Sequence, residues 1–217
     1  MKEHIKEMLH NSKQAFGVSL VLMLICGFAF PLLLTGLSAI IFPHQAGGSL
    51  IEVNGKAVAA EHVGQEFTED YYLWSRPSAY HYNVYNENAD GTKTYTDGSE
   101  FAGLGSGSNN YAPSNPELVK RVEADMEHFL EKNPDVKKED IPTDLMTASG
   151  SGLDPHISPE AAEIQIPRIV EASGLEEAKV REIIKNNTES KLLGVFGEET
   201  VNVVKSNIEI GTAMGLF

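Results

Sequence analysis

Hydrophobic and polar positions divide the chain into one continuous apolar stretch and a longer, patterned region. No Asp, Glu, Lys or Arg occurs between Lys13 and Glu52, and residues 15–42 form an apolar run of 28 residues. About 20 apolar residues, each rising ~1.5 Å, suffice for a helix to cross a bilayer. The run therefore predicts a transmembrane helix with a kink at Pro31. Gly27 and Gly36 would allow other helices to approach it closely.

Three other interpretations of this run compete with a retained anchor. A secretory signal peptide has an apolar region of roughly 7–15 residues before a small-residue cleavage site, whereas this run is longer and ends at Phe42-Pro43. A lipoprotein signal around Cys26 is disfavoured by the bulky Ile25 before it. A buried core helix of a soluble protein is the third alternative.

The flanking charges predict how the helix is oriented. Lys2, Lys6 and Lys13 precede it, and the first cation after it is Lys56. Because short cytoplasmic flanks are enriched in Lys and Arg, the N-terminus is expected in the cytoplasm. The predicted organisation is a cytoplasmic arm over 1–14, a transmembrane helix over 15–42 and an extracytoplasmic domain over 43–217.

The region beyond the anchor mixes strand and helix patterns. Asn54-Gly55 between short apolar segments predicts a β-hairpin with a type I′ turn, and the pattern predicts further strands over 67–74, 201–204 and 208–210. Residues 80–112 predict a long loop with a hairpin near Asp90-Gly91, and so long a loop is usually functional or mobile.

Three helices are predicted from their start and stop signals. One follows Ser114-Asn115-Pro116-Glu117 and ends at Asn133-Pro134. Another follows Ser158-Pro159-Glu160, is divided at Pro167 and ends at Gly174, and a third covers 175–187. Short strands and helices without regular βαβ alternation indicate an α+β domain anchored by one N-terminal transmembrane helix.

Composition narrows the class of function. The 217 residues include 17 Lys and Arg against 31 Asp and Glu, for a net charge of -14, and the single cysteine is Cys26. Nucleic-acid binding is disfavoured because gripping a phosphate backbone needs clustered cations. One cysteine excludes an internal disulfide framework and any CxxC-type zinc site.

The densest candidate for chemistry is the segment 147–159, Thr-Ala-Ser-Gly-Ser-Gly-Leu-Asp-Pro-His-Ile-Ser-Pro. Asp154 and His156 are typical of an acid–base pair or, with the glycines, an anion-binding loop. A structured turn, in which Asp154 accepts backbone N–H groups, is the favoured interpretation. No P-loop, HExxH or GxSxG motif occurs in the sequence.

A second candidate is Arg76-Pro77-Ser78-Ala79, which follows the aromatic residues Tyr71, Tyr72 and Trp74. Aromatic residues and arginine are common binding hot spots, so the segment fits a docking edge. It fits equally well a core tryptophan beside an arginine that pairs with one of the many acids.

Taken in order, these motifs resemble the KdpC family, the small C subunits of bacterial Kdp high-affinity potassium-transporting P-type ATPases. The resemblance covers nearly the whole chain and is most specific in 147–159. The positions that match the family pattern and are candidates for the motif or for interfaces are Gln45, Arg76, Ser78, Asn115, Ser149, Gly150, Gly152, Asp154, His156, Ser158, Gln165 and Arg168.

The resemblance implies a complex with a channel-like potassium-binding subunit, a P-type ATPase catalytic subunit and a very small single-span subunit. It also implies a role in assembly and in raising the ATP affinity of the catalytic subunit. ATP, magnesium and potassium would be handled by those partners, with no cofactor in this chain. With the large domain outside and ATP inside, any effect on ATP affinity is expected to be indirect.

The expected function is therefore a non-catalytic accessory subunit in the cell membrane. The alternative is a membrane-anchored extracytoplasmic enzyme or ligand sensor that uses the loop of Asp154 and His156.

Overall fold

The computed structural model describes residues 2–217, which fall into two compact units, one ending at Leu50 and one running from Ile51 to Phe217. The first unit is helical. It consists of α1 (Lys2–Leu24), a π-helical turn (Ile25–Ala29), α2 (Phe30–Ile41) and the short α3 (Pro43–Ala46).

The helical unit has the properties of a membrane-spanning helix. The stretch His10–Ile41 is long and apolar enough to cross a membrane, and 0% of its most apolar window is buried. This exposure disfavours the core-helix alternative, since a core helix is covered by its own protein. Pro31 lies in the first turn of α2, and the π-helical turn directly precedes α2. Proline lacks an N–H donor, which accounts for an irregular hydrogen-bond ladder at this place.

The second unit contains three small antiparallel arrangements of strands. The hairpin of β1 (Leu50–Val53) and β2 (Lys56–Ala60) turns at Asn54 and Gly55, with φ of 53° and 73° as a type I′ turn requires. A second hairpin pairs β3 (Asn86–Glu87) with β4 (Lys93–Thr94). The third sheet has the order β5-β7-β6, with β5 His156–Ile157, β6 Thr188–Glu189 and β7 Thr200–Asn202. Both predicted hairpins are confirmed.

Five helices complete this unit: α4 (Pro116–Lys132), α5 (Pro159–Glu163), α6 (Ile166–Ser173), α7 (Glu177–Asn186) and α8 (Val203–Ala213). Short 3₁₀ turns cover His81–Asn83, Lys138–Asp140 and Thr143–Leu145. The predicted caps are confirmed: Asn115 caps α4, Ser158 caps α5, and Gly174 ends α6 in the left-handed conformation at φ 70°. The predicted division at Pro167 is also confirmed, because α6 begins beside it.

The hydrophobic core lies where α5, α6, α7 and α8 meet the three-stranded sheet. Its most buried members share an aliphatic character and near-zero exposure: Leu73, Ile157, Ile166, Ile169, Val180, Val201, Val203 and Ile210. The mixture of helices and short strands confirms the α+β class.

The predicted strand over 67–74 is wrong. No strand is present near Leu73 and Trp74, and side-chain amides take the place of a neighbouring strand. Asn207 accepts from Leu73 N–H at 2.8 Å and donates to its carbonyl at 2.9 Å. Gln165 likewise accepts from Trp74 N–H at 2.8 Å and donates to its carbonyl at 3.3 Å. The periodicity of a local sequence contains no information about partners so far away along the chain.

The predicted strand region near the C-terminus is right only at its start. Thr200–Asn202 forms β7, but the β-branched residues from Val203 onward and the segment 208–210 belong to α8. Asn202 decides this boundary, because its side chain accepts from Lys205 N–H at 3.0 Å and caps the helix. Packing against the core then overrides the weak strand preference of Val and Ile.

The loop over 80–112 is fastened to the rest of the unit. The imidazole of His81 lies 3.0 Å from Glu66 and 3.5 Å from Asp97, and it stacks on Tyr95 at a centroid distance of 4.9 Å. The hydrogen bond to Glu66 and the nearby carboxylates, opposed by partial burial, raise the pKa of His81. Charged and aromatic contacts therefore order this loop.

Candidate functional site

The segment 147–156 packs against the Arg76–Tyr82 segment, which brings together two of the sequence candidates. Arg76 donates from Nη1 to Asp154 Oδ2 at 3.3 Å and from Nε to the Thr147 carbonyl at 3.4 Å. Residues 78 positions apart in sequence thus form one site, and Arg76 is the arginine paired with an acid that one interpretation anticipated.

Asp154 is the most strongly perturbed carboxylate of this site. Its Oδ1 accepts from the His156 backbone N–H at 3.0 Å, and its side chain is 19% exposed. Burial alone would raise its pKa, but hydrogen bonds from His156 and Ser149 and the charge of Arg76 lower the pKa of Asp154 to about 2. A carboxylate with such a low pKa is a poor general base at neutral pH.

His156 lies at the start of β5, opposite Asn202 of β7. Its Nδ1 is 3.5 Å from Asp154 Oδ1, and its Nε2 is buried without a hydrogen-bond partner among the described residues. Nδ1 therefore faces Asp154, and Nε2 is enclosed by the protein. This geometry favours the structured-turn interpretation of Asp154 and His156.

Ser78 and Tyr82 hold the two segments together. Ser78 Oγ donates to the Gly152 carbonyl at 2.7 Å and accepts from the Tyr80 N–H at 3.1 Å. Tyr82 OH donates to the Arg76 carbonyl at 2.9 Å, and burial raises the pKa of this phenol. At Gly152 a Cβ would lie 2.9 Å from the Gly107 carbonyl oxygen, so the close approach requires glycine here.

The other small residues of the segment have local roles. Ser151 Oγ lies 3.3 Å from Ser106 Oγ and accepts from Leu153 N–H at 3.2 Å. Ser149 accepts from Ser151 N–H at 3.4 Å. Gly150, in contrast, has open space where a Cβ would lie.

Ser158 ends the segment with contacts of its own. Its N–H and Oγ donate to Asp144 at 2.7 and 3.1 Å, and its Oγ accepts from Ala161 N–H at 3.1 Å. Asp144 is a residue that sequence reasoning missed.

Gln165 and Arg168 lie in a separate, buried network behind Trp74. Arg168 is 6% exposed, and its guanidinium donates to Gln165 Oε1 at 2.7 Å, to Asn133 Oδ1 at 3.2 Å and to the carbonyls of Asp70 and Tyr72 at 2.5 and 3.1 Å. It also lies 4.1 Å from the centroid of the Trp74 ring. Burial, opposed by the charge of Asp70, lowers the pKa of Arg168 to about 10. The network shapes the 70–74 segment.

The remaining sequence candidates lie away from this site. Asn115 caps α4 and accepts from Glu117 N–H at 2.9 Å. Gln45 is exposed in α3. Gly27, Pro31 and Gly36 lie on the exposed N-terminal helix, and a Cβ at either glycine would meet nothing within 4 Å.

A cavity of about 530 Å³ borders the site on the side of α4. Arg76–Ala79 forms one wall, and Arg121, Asp125 and His128 of α4 form another. Arg121 donates to Asp125 and to the Met146 carbonyl at 2.5 and 3.0 Å. Burial raises the pKa of Asp125 in spite of Arg121. Arg121 and Asp125 thus pair with each other at the wall of this cavity.

The polar residues that sequence reasoning missed are chiefly buried amides: Asn133, Asn187, Asn202 and Asn207. Only Asn202 had a usable signal, since it precedes a helix as a cap residue does. Among residues 2–217, no group of three His, Cys, Asp or Glu side chains is placed to hold a metal ion.

Comparison with known proteins identifies the family. Residues 12–212 match the family described as KdpC, the c chain of the K⁺-transporting ATPase. The chain belongs to the KdpC family.

Individual KdpC relatives cover almost the whole chain. The potassium-transporting ATPase KdpC subunit of Clostridium kluyveri is 56% identical over 94% of this chain and 95% of its own length. The KdpC subunit of Clostridioides difficile is 50% identical over 94% of this chain and 98% of its own length. The KdpC subunit of Caldanaerobacter subterraneus is 42% identical over 91% of this chain and 93% of its own length.

Proposed function

We propose that this chain is an accessory subunit of a K⁺-transporting ATPase and does not itself catalyse ATP hydrolysis. The match of residues 12–212 to the KdpC family carries the proposal. The hydrogen bond from the His156 backbone to Asp154 and the burial of His156 Nε2 support a structural role for the residues on which the enzyme alternative depends.

In this proposal the N-terminal helix is a membrane anchor and the unit from Ile51 to Phe217 lies on the extracytoplasmic side. The apolar stretch His10–Ile41 supports the anchor, and the cations at 2, 6 and 13 support a cytoplasmic N-terminus. The helix would contact partner subunits around Gly27, Pro31 and Gly36, because glycines allow close helix approach in membranes and the proline bends the helix.

The partners would be a channel-like potassium-binding subunit, a P-type ATPase catalytic subunit and a small single-span subunit. These would handle potassium, magnesium and ATP. From the extracytoplasmic side, this chain would raise the ATP affinity of the catalytic subunit only by favouring one of its conformations. Coupling of this kind amounts to about 1–3 kcal/mol, or roughly 5–150-fold in affinity.

The proposal is tested by purifying the chain in mild detergent from membranes of cells grown at low potassium, and identifying the proteins that accompany it. We expect channel-like and P-type ATPase subunits, and we expect potassium-stimulated ATP hydrolysis to fall when this chain is removed. A chain that purifies alone, or removal without effect, would overturn the proposal.

The enzyme alternative is distinguished by His156→Ala in the same preparation. An acid–base role predicts normal assembly together with loss of a reaction that this chain performs alone. The accessory role predicts either impaired assembly or little change.

A further inference from the structure

The segment between β6 and β7 exposes four large apolar side chains at the end of a hairpin. Leu192, Leu193, Val195 and Phe196 are 70%, 84%, 74% and 63% exposed. We call this segment, Leu192–Phe196, the hairpin tip. Outside the N-terminal helical unit, clustered apolar exposure of this kind is typical of an interaction site.

The hairpin tip is held in a defined shape. The N–H and carbonyl groups of Leu192 and Phe196 exchange two hydrogen bonds, of 2.8 and 3.0 Å, and Gly194 N–H donates to the Lys191 carbonyl at 2.9 Å. Lys191 and Glu198 face each other at 3.7 Å across the base. A tip that is already ordered loses little conformational entropy when it binds.

The backbone at the tip is strained where the side chain is most exposed. Leu193 has a φ of 54°, a left-handed conformation that residues other than glycine rarely adopt. Such strain persists only where the surrounding structure imposes it, and it is concentrated at functional sites. Here it presents the Leu193 side chain to solvent.

The base of the hairpin is anchored in the core. Val201 is 0% exposed and pairs with Thr188, and Asn202 N–H donates to the Asn187 carbonyl at 2.9 Å. The tip therefore projects from a fixed position on the domain.

The charges beside the tip distinguish between kinds of partner. Three carboxylates, Glu189, Glu198 and Glu199, flank it against the single cation Lys191. Lipid-binding segments typically combine apolar residues with Lys and Arg, so these acids disfavour a bilayer surface. They also disfavour a second copy of this chain, because two acidic tips would repel. A protein groove with basic residues at its rim is complementary to them.

We propose that the hairpin tip docks into an apolar groove, rimmed by Lys or Arg, on another protein subunit of the ATPase complex. This inference rests on the proposed function. Leu193 and Phe196 would fill the groove, and Glu199 would face its basic rim.

The first test places a photoreactive benzophenone amino acid at position 193 of the full chain in the assembled complex. We expect a crosslink to one other protein subunit. A crosslink to lipid, a crosslink to a second copy of this chain, or no crosslink would overturn the docking proposal.

The second test compares variants of the full chain for binding to the other subunits in detergent. Leu193→Asn combined with Phe196→Thr should weaken binding about 30-fold or more, as for hot-spot residues. Asn is suitable at 193 because it tolerates the left-handed conformation. The matched control is Leu104→Asn, at a position that is 78% exposed on another loop, and it should bind as the unsubstituted chain does. Equal binding by the tip variant and the control would contradict the inference.

Glu199→Lys tests the basic rim. It should weaken binding, and the loss should shrink at high salt because exposed charges are screened. Unchanged or tighter binding would overturn the predicted rim. If the unsubstituted chain fails to bind any ATPase subunit, the proposed function fails. If it binds but the tip variant binds equally well, only the docking proposal fails.

Discussion

At the scale of single residues, Asp154 links the stability of the site to pH. Its folded-state pKa of about 2 lies below the ordinary value of 3.8. The ionised Asp154 carboxylate therefore stabilises the folded domain fully above about pH 4, and this stabilisation is lost as the pH falls through 2. Allowing for partial exposure, Asp154→Asn should lower the free energy of unfolding by about 1–2 kcal/mol at pH 7.

Urea titration of the full chain in detergent, followed by the fluorescence of its single tryptophan, Trp74, measures this difference. The difference should disappear near pH 2. Asp135→Asn, at an exposed position, is the control and should change stability by less than about 0.5 kcal/mol. A loss at Asp154 that stayed constant from pH 7 to 2 would show that its charge is not responsible.

Two glycines of the same loop should respond oppositely to alanine. A Cβ at Gly152 would lie 2.9 Å from a backbone carbonyl oxygen, whereas a Cβ at Gly150 would meet nothing within 4 Å. Gly152→Ala should destabilise the domain by about 1–3 kcal/mol through overpacking. Gly150→Ala should be neutral or should stabilise it by up to about 1 kcal/mol, because it restricts the unfolded chain. The melting temperatures of the two variants test this difference. Equal shifts in melting temperature would contradict the close contact at Gly152 and the open space at Gly150.

At the scale of elements, side-chain amides replace a strand beside the 70–74 segment. Asn207 and Leu73 are both 0% exposed, and Asn207 is the partner of the Leu73 N–H and carbonyl. Asn207→Ala should therefore cost about 2–4 kcal/mol, since buried groups without partners cost about 1–3 kcal/mol each.

Hydrogen exchange at Leu73, together with urea unfolding, tests this role of Asn207. The Leu73 amide should lose its protection in the variant. Asn88→Ala, at an exposed loop position, is the control and should leave that amide unchanged. Retained protection at Leu73 in Asn207→Ala would show that other groups hold the segment.

The same segment shows why part of the fold was predictable and part was not. Turns and caps are encoded within a few residues, so the Asn54-Gly55 hairpin and the caps at Asn115 and Ser158 followed from local patterns. The residue pattern of the 67–74 segment is typical of a strand. Its hydrogen-bond partners are instead Asn207 of α8 and Gln165, which directly precedes α6. The helix from Val203 was missed because burial outweighed the preference of β-branched residues for strands.

At the scale of the whole molecule, the sequence located the candidate site but not its contacts. The glycines, Asp154 and His156 marked the 147–159 segment because each residue type has a distinct local chemistry. The pairing of Arg76 with Asp154 joins positions 78 residues apart, and a single sequence contains no signal for such a pair. Gln165 and Arg168 were candidates as motif residues, whereas the structure places them in a buried network that shapes the 70–74 segment.

The extracytoplasmic placement of residues 43–217 is the prediction on which the proposed indirect effect on ATP affinity depends. Residues 43–217 contain 14 basic and 29 acidic residues, and the N-terminal flank has three lysines. The positive-inside rule counts the lysines in the short N-terminal flank, and it therefore predicts that this flank stays in the cytoplasm and that residues 43–217 are translocated. In a Cys26→Ser background, Asp135→Cys should react with a membrane-impermeant maleimide in intact cells, and Glu3→Cys should react only after permeabilisation. Both positions are exposed, so access to the reagent decides the labelling. The reverse pattern would place the domain on the cytoplasmic side with ATP, and it would overturn the proposal that this chain acts on ATP affinity only by coupling across the membrane.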